Sequence, residues 1–146
     1  AFLVLLILAA LLLAACGAPA PAAEAPAPVA EAPAAVAEAP ATLDLPASVD
    51  VQTTSEVMER DDVIVLDVRE QWEYDEGHIP GVIHMPMNDV SANLDKIPTD
   101  QTVIVSCRSG NRSGQVTNFL REQGYENVHN MEGGIVAWER AGLPVE

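Results

Sequence analysis

The sequence is poor in positive charge. Seven Lys or Arg residues face 22 Asp or Glu among 146, for a formal net charge of −15. All seven basic residues and 18 of the acids lie from Leu45 onward. Such an acidic body repels nucleic acid and anionic lipid headgroups, so neither is an expected partner. A substrate anion has to be captured by local dipoles and a few arginines, against the global field. Cysteine is scarce as well, with only Cys16 and Cys107. Histidine is confined to His78, His84 and His129, and no pair of them has metal-ligand spacing. No metal and no cofactor is expected.

What is present falls into two unlike parts. Ala1 to Ala15 is an uninterrupted apolar run ending in small residues, shorter than a membrane span needs but as long as a secretory signal core. No Lys or Arg precedes it, so its orientation is not readable from charge. The stretch Leu13-Ala14-Ala15-Cys16-Gly17 resembles a bacterial lipoprotein signal, in which an apolar residue and two small ones precede the cysteine. The resemblance implies cleavage before Cys16 and lipidation of its thiol. It places the protein at the cell envelope, outside the cytoplasm and held to the membrane through Cys16. Two or three acyl chains anchor stably where one is marginal. The alternative is an uncleaved N-terminal membrane helix with Cys16 incidental at its end.

A seven-residue repeat follows, Ala23–Val29, Ala30–Val36 and Ala37–Leu43. Its period suggests a coiled coil, but Pro26, Pro33 and Pro40 would break a helix once per repeat. Proline also drives the preceding residue toward extended geometry, and some 25 residues at about 3.1 Å each reach roughly 80 Å. The expected organisation is therefore a signal segment at 1–15, a lipidated cysteine and Ala/Pro-rich tether at 16–44, and one globular domain at 45–146. About 100 residues suffice for one core.

Within the domain, Ser48 to Gln52 reads as a short strand, with Thr54 or Ser55 capping a helix through Arg60. Val63–Val68 and Thr102–Ser106 are continuous β-branched runs, as in strands buried on both faces. Helical turns are expected from Glu70 to Asp75 and from Asp89 to Leu94, and a short strand from Val82 to Met85. A longer helix runs from Arg112 to Gln123, with Gly124 as its stop. Asn127 to His129 reads as a strand and Gly134 to Arg140 as a last helix, with Gly133-Gly134 allowing close chain approach before it. Strands alternating with helices predict an α/β fold: a three-layer sandwich around a central, mostly parallel sheet. Ligands gather beyond the carboxyl ends of such strands, where Asp67 and Cys107 both fall.

The segment Ser106-Cys107-Arg108-Ser109-Gly110-Asn111-Arg112-Ser113-Gly114 joins a buried strand directly to a helix. Gly110 and Asn111 accept positive φ, so the amides can curl inward as an anion-binding nest, and the helix N-terminus adds its positive dipole end. With Arg108 and Arg112 flanking it, the Cys107 thiol is expected to titrate low and act as a nucleophile. A buried structural cysteine fits poorly among polar, cationic and glycine-rich neighbours. If Cys16 is lipidated, Cys107 has no disulfide partner in the chain.

Four motifs stand in order: Val65-Leu66-Asp67-Val68-Arg69-Glu70, Gly77-His78-Ile79-Pro80-Gly81, Cys107-Arg108-Ser109-Gly110-Asn111-Arg112-Ser113 and Gly133-Gly134-Ile135-Val136-Ala137-Trp138. Together they resemble the rhodanese homology domain over nearly all of Ser48 to Glu146. The resemblance implies a single-domain sulfurtransferase that moves a sulfane sulfur through a persulfide on Cys107. In it, Arg108, Ser109, Gly110, Asn111, Arg112 and Ser113 cradle the sulfur. The implied partners are a small sulfur-containing anion such as thiosulfate, or a persulfide, as donor, with a thiol, cyanide or a protein as acceptor.

Four residues separate Cys107 from Arg112, whereas cysteine-dependent phosphatases and arsenate reductases have five. The smaller cradle suits a sulfur atom better than a phosphoryl group. A persulfide carrier or docking module is the other alternative. Two departures bear on the donor. Tandem-domain thiosulfate enzymes have a lysine where Ser109 stands and a second arginine near Glu73, so thiosulfate is expected to be a poor donor here. Asp67 and Arg69 read as a supporting ion pair that positions the loop. His78 reads as a hydrogen-bonding group, and Trp72 and Trp138 as core or partly buried packing.

Overall fold

The computed structural model describes residues 43–146; the expected signal segment, Cys16 and the repeats before Leu43 lie outside them. Five strands, β1 (Ser48–Val49), β2 (Val63–Asp67), β3 (Ile83–His84), β4 (Thr102–Ser106) and β5 (Val128–Met131), form one sheet in the order β1-β5-β4-β2-β3. Every pairing is parallel. Four α-helices connect or flank them: α1 (Val51–Val57), α2 (Gln71–Glu76), α3 (Asn111–Glu122) and α4 (Gly134–Arg140).

The two β-branched runs pair along their full length, from Val63 opposite Thr102 to Asp67 opposite Ser106. Side chains alternate across the sheet, so each strand feeds two cores. Ile64, Leu66, Val68, Val103 and Val105 pack with Val116 and Leu120 of α3. Val63, Val65 and Ile104 pack instead with Val51 of α1 and with Ile135 and Trp138 of α4. Helices thus cover both faces, giving the expected sandwich. Leu66, Ile104 and Leu120 are almost wholly buried, each contributing about 1.5–3 kcal/mol of transfer free energy.

Three local expectations are corrected. The first strand ends at Val49 because Asp50, in extended geometry, caps α1 by accepting the Thr53 N–H at 2.7 Å. Thr54 is not a cap: it is buried, and its hydroxyl donates back to the Asp50 carbonyl at 2.9 Å. The segment around Asp89 is helical as expected, in two 3₁₀ stretches, Met87–Ala92 and Leu94–Lys96. Trp72 is 58 % exposed, whereas Trp138 is buried with its Nε1 donating to the Pro144 carbonyl at 2.8 Å. The single buried residue of α2 is Glu73, so its sequence neighbour Trp72 faces elsewhere.

Candidate active site

Cys107 continues the parity of Val103 and Val105, which directs its side chain to the α3 side of the sheet. Its 1 % exposure agrees with that packing, yet its sulfur meets polar groups. Helix α3 begins only four residues later, with Gly110 at its N-cap in left-handed geometry (φ 91°) and no side chain capping the first turn. The first-turn amides of a helix lack intrahelical acceptors, and the Cys107 sulfur occupies that position. The Gly110 N–H donates to Sγ at 3.1 Å and the Ser113 hydroxyl lies 3.3 Å from it.

Ser113 Oγ also lies 2.6 Å from Asn130 Oδ1, on β5. A hydroxyl carries one proton, so it serves one acceptor at a time. With a thiolate at Cys107 the proton turns to sulfur. With a thiol it turns to Asn130, leaving an oxygen lone pair for the S–H. Asn130 therefore positions Ser113. The sequence reading missed it by ending the strand at His129; a polar residue near the carboxyl end of a buried strand was the available signal.

Helix α4 fixes the outer side of the loop. The Ile135 amide donates to the Cys107 carbonyl at 2.8 Å and the Val136 amide to the Arg108 carbonyl at 3.2 Å. In a trans peptide the N–H points opposite the C=O. Holding these two carbonyls outward therefore turns the Arg108 and Ser109 amides inward. The approach is possible because residue 134 is glycine: a Cβ there would lie 2.3 Å from the Cys107 carbonyl oxygen.

Burial is the largest single influence on the Cys107 pKa, and it disfavours the thiolate. Hydrogen bonds from the Ser113 hydroxyl and from the amides of Ser113, Ser109 and Gly110 outweigh it, so the thiol titrates below its ordinary value. Of the influences that the sequence suggested, the loop amides lead, joined by the Ser113 hydroxyl. Arg108 is exposed at the rim, as are Ser109 and Asn111. Arg112 is taken up by Glu73, with Nη1 to Oε2 at 2.6 Å and Nη2 to Oε1 at 2.8 Å. The Arg112 hydrogen bond holds the Glu73 carboxyl below its usual range, against the opposing effect of burial.

Asp67 and Arg69 form a buried pair at 2.7 Å. Arg69 also donates to the carbonyls of Glu73 and Gly77, each at 2.9 Å. The pair thus braces the α2 segment, whose Glu73 holds Arg112 of the cysteine loop, while Asp67 itself lies opposite Ser106 in the sheet. His78 bonds the Tyr74 carbonyl through Nδ1 at 3.1 Å, while its backbone exchanges hydrogen bonds with Glu146. His84 reaches the Arg69 carbonyl, and His129 the Pro46 carbonyl. None of the three histidines hydrogen-bonds to residues 107–113.

A parallel-sheet α/β sandwich with a cysteine at a strand's carboxyl end, in a loop closed onto a helix N-terminus, defines the class of protein. Residues 50–141 match the model of the Rhodanese-like domain, and the chain belongs to that family. A sulfurtransferase of Allochromatium vinosum is 39 % identical over 98 residues, 66 % of this chain and 92 % of that protein. The thiosulfate sulfurtransferase GlpE of Pseudoalteromonas translucida is 33 % identical, covering 64 % and 89 %. Among solved structures, a rhodanese-related protein of Thermoplasma volcanium superposes with a TM-score of 0.63 at 32 % identity, covering 68 % and 96 %.

Replacing Ser113 by Ala removes the leading thiolate donor, so the Cys107 pKa should rise. The thiolate is the alkylating nucleophile, so the midpoint of the iodoacetamide rate against pH should move up, by about one unit for one lost charge-assisted hydrogen bond. An unmoved midpoint would rule the hydroxyl out as a thiolate donor.

Proposed function

We propose that this chain is a sulfurtransferase that carries a sulfane sulfur on Cys107 at the cell envelope. The observation that carries the reading is a sulfur atom held against the N-terminus of α3, with Gly110 and Ser113 donating to it. The names of the relatives support the same chemistry. The Cys107 thiolate attacks the outer sulfur of a donor, forming a new S–S bond. With thiosulfate, the old S–S bond breaks and sulfite leaves with its electron pair. With an alkyl persulfide, the alkyl thiolate leaves. Cys107 then holds a persulfide whose terminal charge the inward amides of Arg108 to Ser113 stabilise.

In the second half-reaction, cyanide or a thiolate attacks the terminal sulfur. The bond to Cys107 breaks with its electrons, which regenerates the thiolate and releases thiocyanate or a new persulfide. The amides that hold the thiolate also hold the persulfide anion, so neither state requires reorganisation. The four-residue span from Cys107 to Arg112 favours sulfur over phosphoryl transfer. Incubation of the full chain with thiosulfate or an alkyl persulfide should add one sulfur atom by mass, and cyanide should remove it as thiocyanate. Loading without release to any acceptor would turn the reading into a sulfur carrier; absence of loading would overturn it.

The envelope location rests on the lipoprotein-like stretch ending at Cys16. Expression of Cys16→Ala in a bacterium should shift the protein from the membrane fraction to soluble or uncleaved forms. Unchanged processing and fractionation would remove the anchor from the proposal.

A further inference from the structure

We propose that Glu73 sets which sulfur donors the site accepts: by locking Arg112 in a bidentate pair, it turns the cradle away from dianionic donors such as thiosulfate and toward alkyl persulfides. The inference rests on the sulfurtransferase reading and assigns its donor preference to one residue.

The geometry is that of a lock. Both guanidinium Nη atoms of Arg112 are spent on the two carboxylate oxygens of Glu73. Glu73 is itself fixed: its Oε2 accepts the Glu70 amide at 3.2 Å in the capping box that opens α2. Its side chain is only 7 % exposed, against 30 % for Arg112. If Arg112 swung away to a sulfonate, it would leave a buried carboxylate charged and without its cation, which is strongly unfavourable. The planar fork matches a carboxylate and a sulfonate alike, so the carboxylate is a built-in competitor for an anionic donor.

Other charges around the site point the same way. A cavity of about 240 Å³ beside the loop is lined by Glu73, Glu76 and Glu139 together with Arg69 and Arg108. Arg69 is committed to Asp67, so Arg108 is the one cation of that lining without a carboxylate partner among the described residues. Thiosulfate brings two negative charges to a cradle that already holds a thiolate. A protonated alkyl persulfide brings none, and its transferred sulfur needs only the loop amides. The pair thus penalises one donor class and leaves the other untouched, a means of discrimination by repulsion.

Glu73→Gln keeps the size and the capping function while removing the charge. Glu73→Ser removes the Arg112 acceptor altogether, and a thermal melt of each variant is the check that it folds. Thiocyanate formation from thiosulfate and cyanide should gain about tenfold in kcat/KM, mostly through KM, as expected for one freed charge-assisted contact. Sulfate, which has no sulfur to give, should inhibit the variants at about tenfold lower concentration by the same contact. Loading of Cys107 from ethyl persulfide, an alkyl persulfide without a carboxylate, followed by mass, should stay within about twofold of the wild type, because that donor makes no contact with the freed charge. Unchanged thiosulfate kinetics and sulfate inhibition in both folded variants, or equal changes with both donors, would overturn the lock while leaving sulfur transfer standing. A wild type that loads from neither donor would overturn both.

Discussion

Cys107→Ser should abolish sulfur loading and lower turnover by at least about a thousandfold, the scale of losing the nucleophile in covalent catalysis. The argument rests on the donors around the atom. Gly110 N–H at 3.1 Å and the Ser113 hydroxyl at 3.3 Å can stabilise an anion only if one forms. A thiol held below its ordinary pKa ionises more readily than a free one, whereas a serine hydroxyl stays protonated, and no histidine hydrogen-bonds to this loop to act as its base. The fold should survive, because the new hydroxyl inherits two hydrogen-bonding neighbours in place of the sulfur. The check is the mass of the protein after donor treatment, with a thermal melt beside it. A folded serine variant that still gains sulfur would show that the transferred atom rides elsewhere.

The opposed fates of the two glutamates near the loop show how charge alone misleads. From sequence, Glu73 was a place where a cation was missing. In the structure it takes hold of the cation that is present, Arg112. Composition counts charges without pairing them, and the pair joins residues 39 apart in the chain. Glu139, by contrast, lies on the exposed face of α4 at the cavity rim, where its charge is solvated.

The sheet was legible for a simple reason. Val63–Asp67 and Thr102–Ser106 are β-branched runs buried on both faces, and such runs announce themselves without help from neighbours. The Cys107 loop was legible because strand, glycine and helix follow one another within a few residues. Less visible was whatever depended on contacts between distant segments. Asn130 touches the site only because β5 lies beside β4. Trp72 was expected to pack because it is large and apolar, but α2 has six residues and buries a glutamate. The Arg69 fork was expected to serve the loop, yet its carbonyl partners lie in and just after α2.

Gly134 is the position where a single methyl group should do most damage. Its proximity role was readable as Gly133-Gly134; the backbone that approaches it was not. In Gly134→Ala the new Cβ would meet the Cys107 oxygen at 2.3 Å and the carbonyl carbon and oxygen of Arg108 at 2.5 and 2.6 Å. These are backbone atoms, so no rotamer change relieves the collision. The loop or α4 must move, and the bonds from Ile135 and Val136 to those carbonyls are lost. The amides that face the sulfur then lose their bracing. We expect a destabilisation of about 3 kcal/mol or more, and a loss of sulfur loading of about a hundredfold, as follows from displacing a catalytic loop by an ångström. Gly142→Ala separates collision from backbone strain. Gly142 also has positive φ, 73° against 57°, but nothing lies within 4 Å of its Cβ position. It should cost only the left-handed penalty of about 1–2 kcal/mol and keep full loading. Equal melting temperatures and equal loading in the two variants would mean that the contact between α4 and the loop does not hold the cradle, and that its amides are aligned by α3 alone.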